Sequence, residues 1–513
     1  MFIREITARH QQETQALKDE IARLKGHKTK PDMRPSRLEP PKPDAKQPPD
    51  GKRPGSNKRS KTAMLEIHET LKIAPQETIP PKSRFKGYAD YTVIGLRFQP
   101  HNVRYRLEVW ETPDGQRLAG QLPALMAVLD GHCSPELVGY ILHQHHHAHV
   151  PQGLIWEQLQ DIGVPISEGQ VNHILLDYSG PFHQEKENLL KVGLEVSRHI
   201  HVDDTGARHK GKNGYCTQIG NEWFTYFEST ESKSRINFLR ILRAGHTDYL
   251  LQDDAWKYME GQQLSKTALS FLKAVGEITV PDDCAWQEAL NRWGITQPMQ
   301  VRIVTEGALL GSVLHHGIHP ELVIVSDDAG QFNVLLHALC WIHAERTLAK
   351  LVGFNEDQRQ ALEAKRTEVW EFYRDLKTYK VAPSDGGKRA LSTRFDAIFT
   401  ATTCFATLNC ALERLRRNKA ELLLVLKRPD VPLHNNLSEN DIREYVTRRK
   451  RSGSTRSDLG RRCRDTFASL KKTCRKLRIS FWRYLLDRFS GANSVPRLSD
   501  LVRQRAQEAK ALT

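Results

Sequence analysis

Residues 322–330 read LVIVSDDAG, and this stretch decides the fold class. Four consecutive apolar residues, from Leu322 to Val325, predict a short strand at the centre of a sheet, because a strand buried on both faces is apolar throughout. Asp327 and Asp328 follow almost at once, so carboxylates stand where the strand ends. The stretch therefore predicts an α/β domain with acidic side chains at one edge of its sheet.

A second strand with the same ending is predicted earlier in the chain. A short apolar alternation runs into Asp203 and Asp204, a hairpin with a Gly-Asn turn is predicted over residues 218–230, and a helix over residues 234–244. Strands followed by a helix again indicate an α/β domain. The stretch 247–316 is predicted to be a mostly helical insert before the next strand.

Asp203 and Asp327 are candidate ligands for hard divalent ions such as Mg²⁺, which prefer oxygen ligands. Two such ions about 3.5–4 Å apart activate the attacking oxygen and stabilise the leaving oxygen in phosphodiester chemistry. Taken singly, an Asp-Asp pair is more often a helix cap or a turn. Asp204 and Asp328 are the alternatives if the register is shifted by one residue.

A third acid stands in the string NNLSENDIR, which covers residues 435–443. The paired asparagines suit the turn that enters a helix, Ser438 is predicted to help cap it, and Glu439 projects from the first turn. Arg443 follows one helical turn later on the same face. This arrangement puts a carboxylate beside basic groups that could hold phosphates.

The charge of the chain is concentrated in one segment. Lys and Arg total 76 against 61 Asp and Glu, which gives a net charge of +15. Residues 441–480 alone carry 14 Lys/Arg and 4 Asp/Glu. Phe467 and Leu470 interrupt this run, so we predict a folded basic segment that follows a phosphate backbone rather than a free tail.

The N-terminal third predicts three kinds of segment. Residues 1–25 predict a helix, either a short dimerising coiled coil or a solvated amphipathic helix. Residues 26–62 are rich in proline and basic residues and predict a disordered linker. In residues 63–180 we predict a DNA-binding region, which combines a β-hairpin module over 86–123 with a helix-turn-helix near 134–178; an ordinary helical hairpin is the alternative to the helix-turn-helix.

Several classes of protein are excluded by composition. The 8 cysteines are scattered without a CxxC pair, which argues against a disulfide framework and a standard zinc finger. No apolar run is long enough to span a membrane, and residues 1–12 lack the apolar core of a signal peptide. We therefore expect a cytoplasmic protein, associated with the nucleoid if it binds DNA.

Four strings in order carry a family resemblance: HVDDTGAR, VSDDAGQF, HALCWIHAER and HNNLSENDIREYVTRRKRSGS. Together they resemble the insertion-sequence transposases of family sixty-six, a DDE-type family, over roughly residues 60–490. The resemblance implies a ribonuclease-H-like core with a helical insertion between the second Asp and the Glu. It also implies that Asp203, Asp327 and Glu439 form a catalytic triad that holds two Mg²⁺ or Mn²⁺ ions.

The resemblance also implies a division of the chain after residue 180. Residues 181–333 are expected to start the core, 334–427 to form the helical insertion domain, 428–490 to complete the core, and 491–513 to form a tail. The sequence departs from the family in lacking cysteines over 86–123, in its long insert, and in carrying Glu345 where an arginine is expected. Cys340 and His343 have metal-ligand spacing, with Cys404 and Cys410 as further ligands, but core packing is favoured over zinc.

The resemblance implies a function. The protein would bind the terminal inverted repeats of its element, cut them by metal-dependent hydrolysis, and join the freed 3′-hydroxyl to target DNA. A homo-oligomer and accessory proteins of the same element are expected partners, since two ends are processed together. The expected DNA-binding residues are Asn435, Asn436, Arg443, Arg448, Arg449, Lys450, Arg451, Arg461 and Arg462.

Two other functions stay open at this point. One is a non-catalytic DNA-binding regulator derived from a transposase, against which the three intact acids argue. The other is a ribonuclease-H-like nuclease that hydrolyses DNA without strand transfer.

Overall fold

The computed structural model describes residues 65–75, 79–122 and 133–511. The predicted N-terminal helix over 1–25 and the linker over 26–62 lie outside the described residues. The chain divides into two units, Met1–Leu96 and Arg97–Thr513. The described residues of the first unit contain no helix or strand, and every element below belongs to the second.

The predicted β-hairpin module is smaller than expected. Strands β1 (Val109–Glu111) and β2 (Arg117–Ala119) pair in antiparallel register. The Gly115 N–H donates to the carbonyl of Thr112 at 2.8 Å, and Gly115 has a φ of +83°, which glycine adopts without strain. Within the predicted module the two strands lie inside residues 109–119, and residues 86–108 form no strand.

Three helices follow the hairpin, in the region where a helix-turn-helix was predicted. They are α1 (Pro135–His146), α2 (Gln152–Asp161) and α3 (Glu168–Leu176). The Ser134 hydroxyl accepts from the N–H of Leu137 at 3.4 Å, and the Ser167 hydroxyl accepts from that of Gln170 at 3.1 Å. Each serine satisfies one of the free N–H groups of a helix start, which explains why these positions begin helices.

The central sheet has five strands in the order β5-β4-β3-β8-β9. Helix α4 precedes the sheet and α5 follows its first three strands. β3, β4 and β5 are antiparallel neighbours, whereas β8 runs parallel to β3 and β9 parallel to β8. The elements are α4 (Gly180–Val196), β3 (His199–Gly206), β4 (Tyr215–Gly220), β5 (Thr225–Thr230), α5 (Arg235–Leu242), β8 (Val323–Ser326) and β9 (Leu336–Leu339).

Burial explains the sequence pattern of the central strands. All four residues of β8 are buried, which confirms the strand predicted from its apolar run. Strand β3 continues to Gly206, so Asp203 lies inside the strand and not at its end as predicted. The hairpin predicted around Gly220-Asn221 and the helix predicted over residues 234–244 are both confirmed.

The insert between α5 and β8 is largely helical, as predicted, but it also contains a small sheet. Strands β6 and β7 pair in antiparallel register, and the ring of Tyr249 stacks on that of Trp286 with centroids 4.7 Å apart. The elements are β6 (Tyr249–Leu251), α6 (Asp253–Gly261), α7 (Lys266–Val275), β7 (Ile278–Val280), α8 (Asp283–Arg292) and α9 (Pro298–His315).

The second helical region has a hydrophobic core of its own around Trp341, Phe372 and Phe395. It starts two residues after β9, a strand that the sequence did not reveal. Ser384 caps α12, and the two glycines after it lie in the first turn of that helix. The break between α11 and α12 therefore falls before the glycines. The helices are α10 (Trp341–Ala349), α11 (Glu356–Val381), α12 (Asp385–Thr400), α13 (Ala406–Arg417) and α14 (Lys419–Leu422).

Four helices complete the chain, and the basic segment is folded as predicted. Phe467 and Leu470 are fully buried, and the Thr473 hydroxyl accepts from the N–H of Thr225 at 3.1 Å, which fixes α16 against β5. The expected tail ends in a helix that buries Leu498. The helices are α15 (Asn436–Ser452), α16 (Asp458–Lys476), α17 (Phe481–Ser490) and α18 (Leu498–Ala511). Among the described residues, no helix is long and apolar enough to cross a membrane.

Candidate active site

Asp203 and Asp327 lie near the same edge of the sheet, on neighbouring parallel strands. His201 of β3 pairs with Val325 of β8, and the pairing of the two strands ends with these residues. Asp203 lies two residues further along β3, and Asp327 follows directly after the end of β8. The charge of Asp327 is one of those that raise the pKa of Asp203.

The alternation of side chains along β3 distinguishes Asp203 from Asp204. Asp203 pairs in the sheet with Gln218, whose side chain donates to Asp441 of α15 at 3.3 Å. Residues directly opposite each other in a sheet share a face, so Asp203 lies on the face that α15 covers. Asp204 lies on the other face, where it accepts hydrogen bonds from Thr217 at 2.5 Å and Gln331 at 2.9 Å.

Asp327 and Asp328 also differ in their partners. Asp328 is held by the guanidinium of Arg414 and by the amide of Asn418 at 3.1 Å, both from the second helical region. Asp327 accepts from the N–H of Ala329 at 3.1 Å. Asp328 thus serves a structural ion pair, whereas the charge of Asp327 acts on Asp203.

Glu439 is positioned by two buried anchors on its own helix. The amide of Asn435 donates to the carbonyl of Val202 at 2.8 Å and contacts Nδ1 of His201 at 2.9 Å. Asp441 accepts from the hydroxyl of Thr225 at 2.7 Å. These contacts attach the first turn of α15 to β3 and β5, so the position of Glu439 between them is determined by the sheet.

Two expectations for this helix start are corrected by burial. Asn435 is fully buried and makes structural hydrogen bonds, so it has no surface for the predicted DNA contact. Ser438 does not cap α15, because its hydroxyl donates to the side chain of Gln218 in the core.

The carboxylate of Glu439 has two basic neighbours on α10. Arg346 donates to it at 3.2 and 3.4 Å, and Nε2 of His343 lies 3.6 Å from it. The other ring nitrogen of His343 is buried and has no hydrogen-bond partner among the described residues. The motif CWIHAER contains both His343 and Arg346. Its Glu345, which stands where an arginine was expected, is buried and pairs with Arg366 at 2.7 Å.

The surroundings of Asp203 disfavour the charged form of its carboxylate. The pKa of Asp203 is raised to about 7, mainly because burial disfavours the charged carboxylate. The charges of Asp327, Asp204 and Glu439 raise it further, and a hydrogen bond from the N–H of Asp204 at 2.7 Å offsets only part of the effect. A buried carboxylate surrounded by three others is the setting that a divalent cation would stabilise.

The three acids do not meet at a single point. Within the part of the chain that the structure describes, the group of three potential ligands whose atoms all lie within 4.8 Å of one another is elsewhere, at His246, Asp248 and His316. Glu439 is turned toward Arg346 and His343. In the described part of the chain the carboxylate of Glu439 is therefore paired with Arg346 rather than grouped with the two aspartates.

The expected DNA-binding residues of α15 and α16 separate by exposure. Arg448 is buried, and Arg449 bonds the backbone of Gly206 at the end of β3 and the hydroxyl of Thr205 at 3.3 Å. Arg461 is half-buried and pairs with Asp458 at 3.3 Å. The exposed members are Asn436, Arg443, Lys450, Arg451 and Arg462.

His146, in the histidine run at the end of α1, faces the interior and not the surface. Its ring is buried and stacks on Phe467 of α16 with centroids 4.1 Å apart. Burial and the nearby Arg448 hold its pKa well below the usual range, so the ring is neutral. The histidine run thus packs the three-helix region against the basic segment.

The chain is similar to known proteins over much of its length. The family model described as "Transposase IS66 family" matches residues 130–266 and 321–462, which is more than half of the chain. An uncharacterized protein of Sinorhizobium fredii (strain NBRC 101917 / NGR234), y4jO, is 47% identical over 302 residues, which cover 58% of this chain and 94% of that protein. The residues that bracket the candidate site all lie in the two matched stretches. The chain belongs to the IS66 family of transposases.

Proposed function

We propose that this transposase binds the terminal inverted repeats of an insertion sequence and catalyses DNA cleavage and 3′-hydroxyl strand transfer through Asp203, Asp327 and Glu439. One observation carries the proposal. Asp203 on β3 and Asp327 after β8 belong to neighbouring parallel strands, and Glu439 projects from the helix that covers the same face of the sheet as Asp203.

The strand order supports a ribonuclease-H-like core. Strands β5, β4 and β3 are antiparallel neighbours. Strands β8 and β9 follow on the other side of β3 and run parallel to it. The first acid lies on that central strand, the second follows the adjacent parallel strand, and the third lies on a later helix. The helical region between β9 and α15 occupies the place of the insertion that such a core carries between its last two acids.

The residues present fit two Mg²⁺ or Mn²⁺ ions. When bound, such ions activate the attacking oxygen and stabilise the leaving oxygen of an in-line displacement. Asp203 is held rigidly by the sheet, and its carboxylate regains a favourable charged state when cations compensate the surrounding acids. Glu439 is held by the anchored first turn of α15, so only its side chain has to move away from Arg346.

The proposed reaction has two balanced steps. In the first, water attacks the phosphorus at the end of the element, a new P–O bond forms, and the old bond to the 3′-oxygen breaks. The leaving 3′-oxygen takes up a proton while the attacking water loses one. In the second, the freed 3′-hydroxyl attacks a phosphodiester of the target, which joins the strands and releases a 3′-hydroxyl of the target.

DNA binding is proposed for two surfaces. Helices α2 and α3 with their tight turn form a helix-turn-helix whose second helix exposes Gln170 and Asn172. The exposed basic residues of α15, Arg443 and Lys450, provide phosphate contacts beyond Glu439. Two element ends must be processed together, so we propose a homo-oligomer that works with accessory proteins of the same element.

The proposal is tested by incubating the full chain and its accessory proteins with DNA that carries the element's ends, in Mg²⁺ or Mn²⁺. Nicked ends and joined products are separated on denaturing gels. We expect both products, and neither when the metal is chelated. Binding without nicking would support the regulator, and nicking without joined product would support a nuclease without strand transfer; either result overturns the proposal.

A further inference from the structure

A second cluster of potential metal ligands lies on other loops of the fold. His246 and Asp248 lie between α5 and β6, and His316 follows the end of α9. Nε2 of His316 lies 2.8 and 3.0 Å from the two carboxylate oxygens of Asp248. One ligand atom from each of the three residues lies within 4.8 Å of the other two.

For both histidines to bind one ion, at least one ring has to rotate out of the present stack, because an imidazole nitrogen binds a metal in the plane of its ring. The rings of His246 and His316 are parallel to within 7°, and their centroids are only 3.5 Å apart. Aromatic rings prefer offset or edge-to-face contacts over such a direct sandwich, because their negative faces repel. Both residues are also partly exposed, so hydrophobic burial does not force the contact.

The carboxylate in this cluster is oriented by further contacts. The hydroxyl of Ser312 donates to Asp248 at 3.1 Å, and Arg243 donates to the Asp248 backbone carbonyl at 2.9 Å. The His246 N–H in turn donates to the carbonyl of Arg243 at 3.2 Å. Supporting bonds of this kind hold metal ligands in place and strengthen binding.

The ligand types select the ion. Imidazole nitrogens suit borderline ions such as Zn²⁺, whereas Mg²⁺ prefers oxygen ligands throughout. Three protein ligands leave the fourth tetrahedral position to water, which can enter because the side chains of His316 and Asp248 are 24% and 17% exposed. We propose that His246, Asp248 and His316 form a zinc site that ties together the two ends of the helical insert.

The position of the ligands defines the role of this site. Two ligands precede β6, the first element of the insert, and the third follows α9, its last helix. The ion would therefore link the start of the insert to its end. His316 lies outside the stretches that match the family model, so the site includes a residue of this chain's own insert.

The test uses the purified full chain, stripped with EDTA and freed of the chelator. Zn²⁺ is titrated by calorimetry in excess Mg²⁺, which occupies sites made only of carboxylates, and Co²⁺ serves as a spectroscopic probe of coordination. The variants are His316→Ala and Asp248→Asn. The control is His315→Ala, because His315 is exposed and lies outside the cluster.

We expect the wild type and His315→Ala to bind one more Zn²⁺ than the other two variants, or to bind it at least about tenfold more tightly. Zinc should raise the Tm of the wild type and of His315→Ala, but not that of His316→Ala. Asp248→Asn keeps the shape of its residue, so its loss of zinc at an unchanged metal-free Tm separates ligand loss from unfolding. Equal zinc binding in all four proteins would overturn the proposal and leave an ordinary His-Asp ion pair.

Discussion

Arg346 donates from both terminal nitrogens of its guanidinium to the carboxylate of Glu439, at 3.2 and 3.4 Å. The arginine lies on α10 and the glutamate on α15, so the pair joins the second helical region to the candidate active site. A cation thus already compensates Glu439 before any metal binds. Under the proposed function, metal ions would have to compete with Arg346 for this carboxylate.

This competition predicts the effect of Arg346→Gln on metal affinity. Exposed ion pairs contribute about 0.2–1 kcal/mol, so removing Arg346 should strengthen Mn²⁺ binding in the absence of DNA by roughly 1.4- to 5-fold. Calorimetric titration of the full chain measures this. Arg414→Gln is the matched control, because its arginine pairs with Asp328. Weaker Mn²⁺ binding by Arg346→Gln than by the control would contradict the competition.

The two adjacent asparagines before Glu439 should respond differently to alanine. Asn435→Ala removes a buried amide that bonds both Val202 and His201, and an unsatisfied buried partner costs about 1–3 kcal/mol. Asn436 is exposed, so Asn436→Ala should change stability by less than about 0.5 kcal/mol. Thermal unfolding measures both. Equal Tm values for the two variants would show that Asn435 does not anchor the helix.

The basic residues of α15 should separate in the same way when DNA binding is measured against salt. Lys450 is exposed, and Lys450→Ala should make the slope of log affinity against log salt less steep by about one if the lysine contacts a phosphate. Arg448 is buried, so Arg448→Ala should leave that slope unchanged and lower the Tm. Fluorescence anisotropy on end DNA at several salt concentrations measures the slopes. A changed slope in Arg448→Ala alone would reverse the assignment.

Glu444 provides a prediction about pH. Burial tends to raise its pKa, but the ammonium groups of Lys471 and Lys472 outweigh burial and hold the pKa at about 2. Lys472 lies 2.9 Å from it. Burial also lowers the pKa of Lys471, which disfavours the charged form of this partner of Glu444. The lowered pKa of Glu444 follows from its two cationic neighbours, Lys471 and Lys472.

A carboxyl with a depressed pKa contributes stability above its unfolded pKa, near 4.5, and this contribution is lost as the pH falls toward 2. Glu444→Gln should therefore cost about 3 kcal/mol at pH 7, from a shift of roughly two pKa units or slightly more. The difference in Tm between wild type and variant should shrink steadily from pH 5 to pH 3. A constant difference over that range would show that the loss comes from packing and not from charge.

The sequence predicted the parts of the site whose signals are local. The apolar run before Asp327 placed its strand, and the string around Glu439 placed its helix. Alternation along the strand shows that Asp203 and Asp204 lie on opposite faces, but not which face α15 covers. The pairing of Asp203 with Gln218, which contacts α15, assigns Asp203 to the covered face. The strand β9 was missed, since Leu336–Leu339 is short, includes His337 and lies directly before a helix, so its period is ambiguous.

Other features depend on contacts between distant residues. Asn435 belongs to the string around Glu439 for which DNA contacts are expected, and only its bonds to β3 reveal that it is buried. His246 and His316 are separated by the whole helical insert, so no spacing pattern connects them. The pairing of Glu439 with Arg346 likewise joins two regions that the sequence treats as separate domains.

The rate of strand transfer by adjacent-residue variants tests the central claim most directly. Full-length wild type, Asp327→Asn and Asp328→Asn are each given pre-cut end DNA and target DNA in Mn²⁺, and the single-turnover rate of joining is measured. Losing a metal-binding carboxylate should cost several kcal/mol, so Asp327→Asn should be slower by roughly a hundredfold or more. Asp328→Asn should stay within about threefold of wild type, because Asp328 pairs with Arg414. Full activity of Asp327→Asn, or a reversed order of the two variants, would contradict the assignment of the active site.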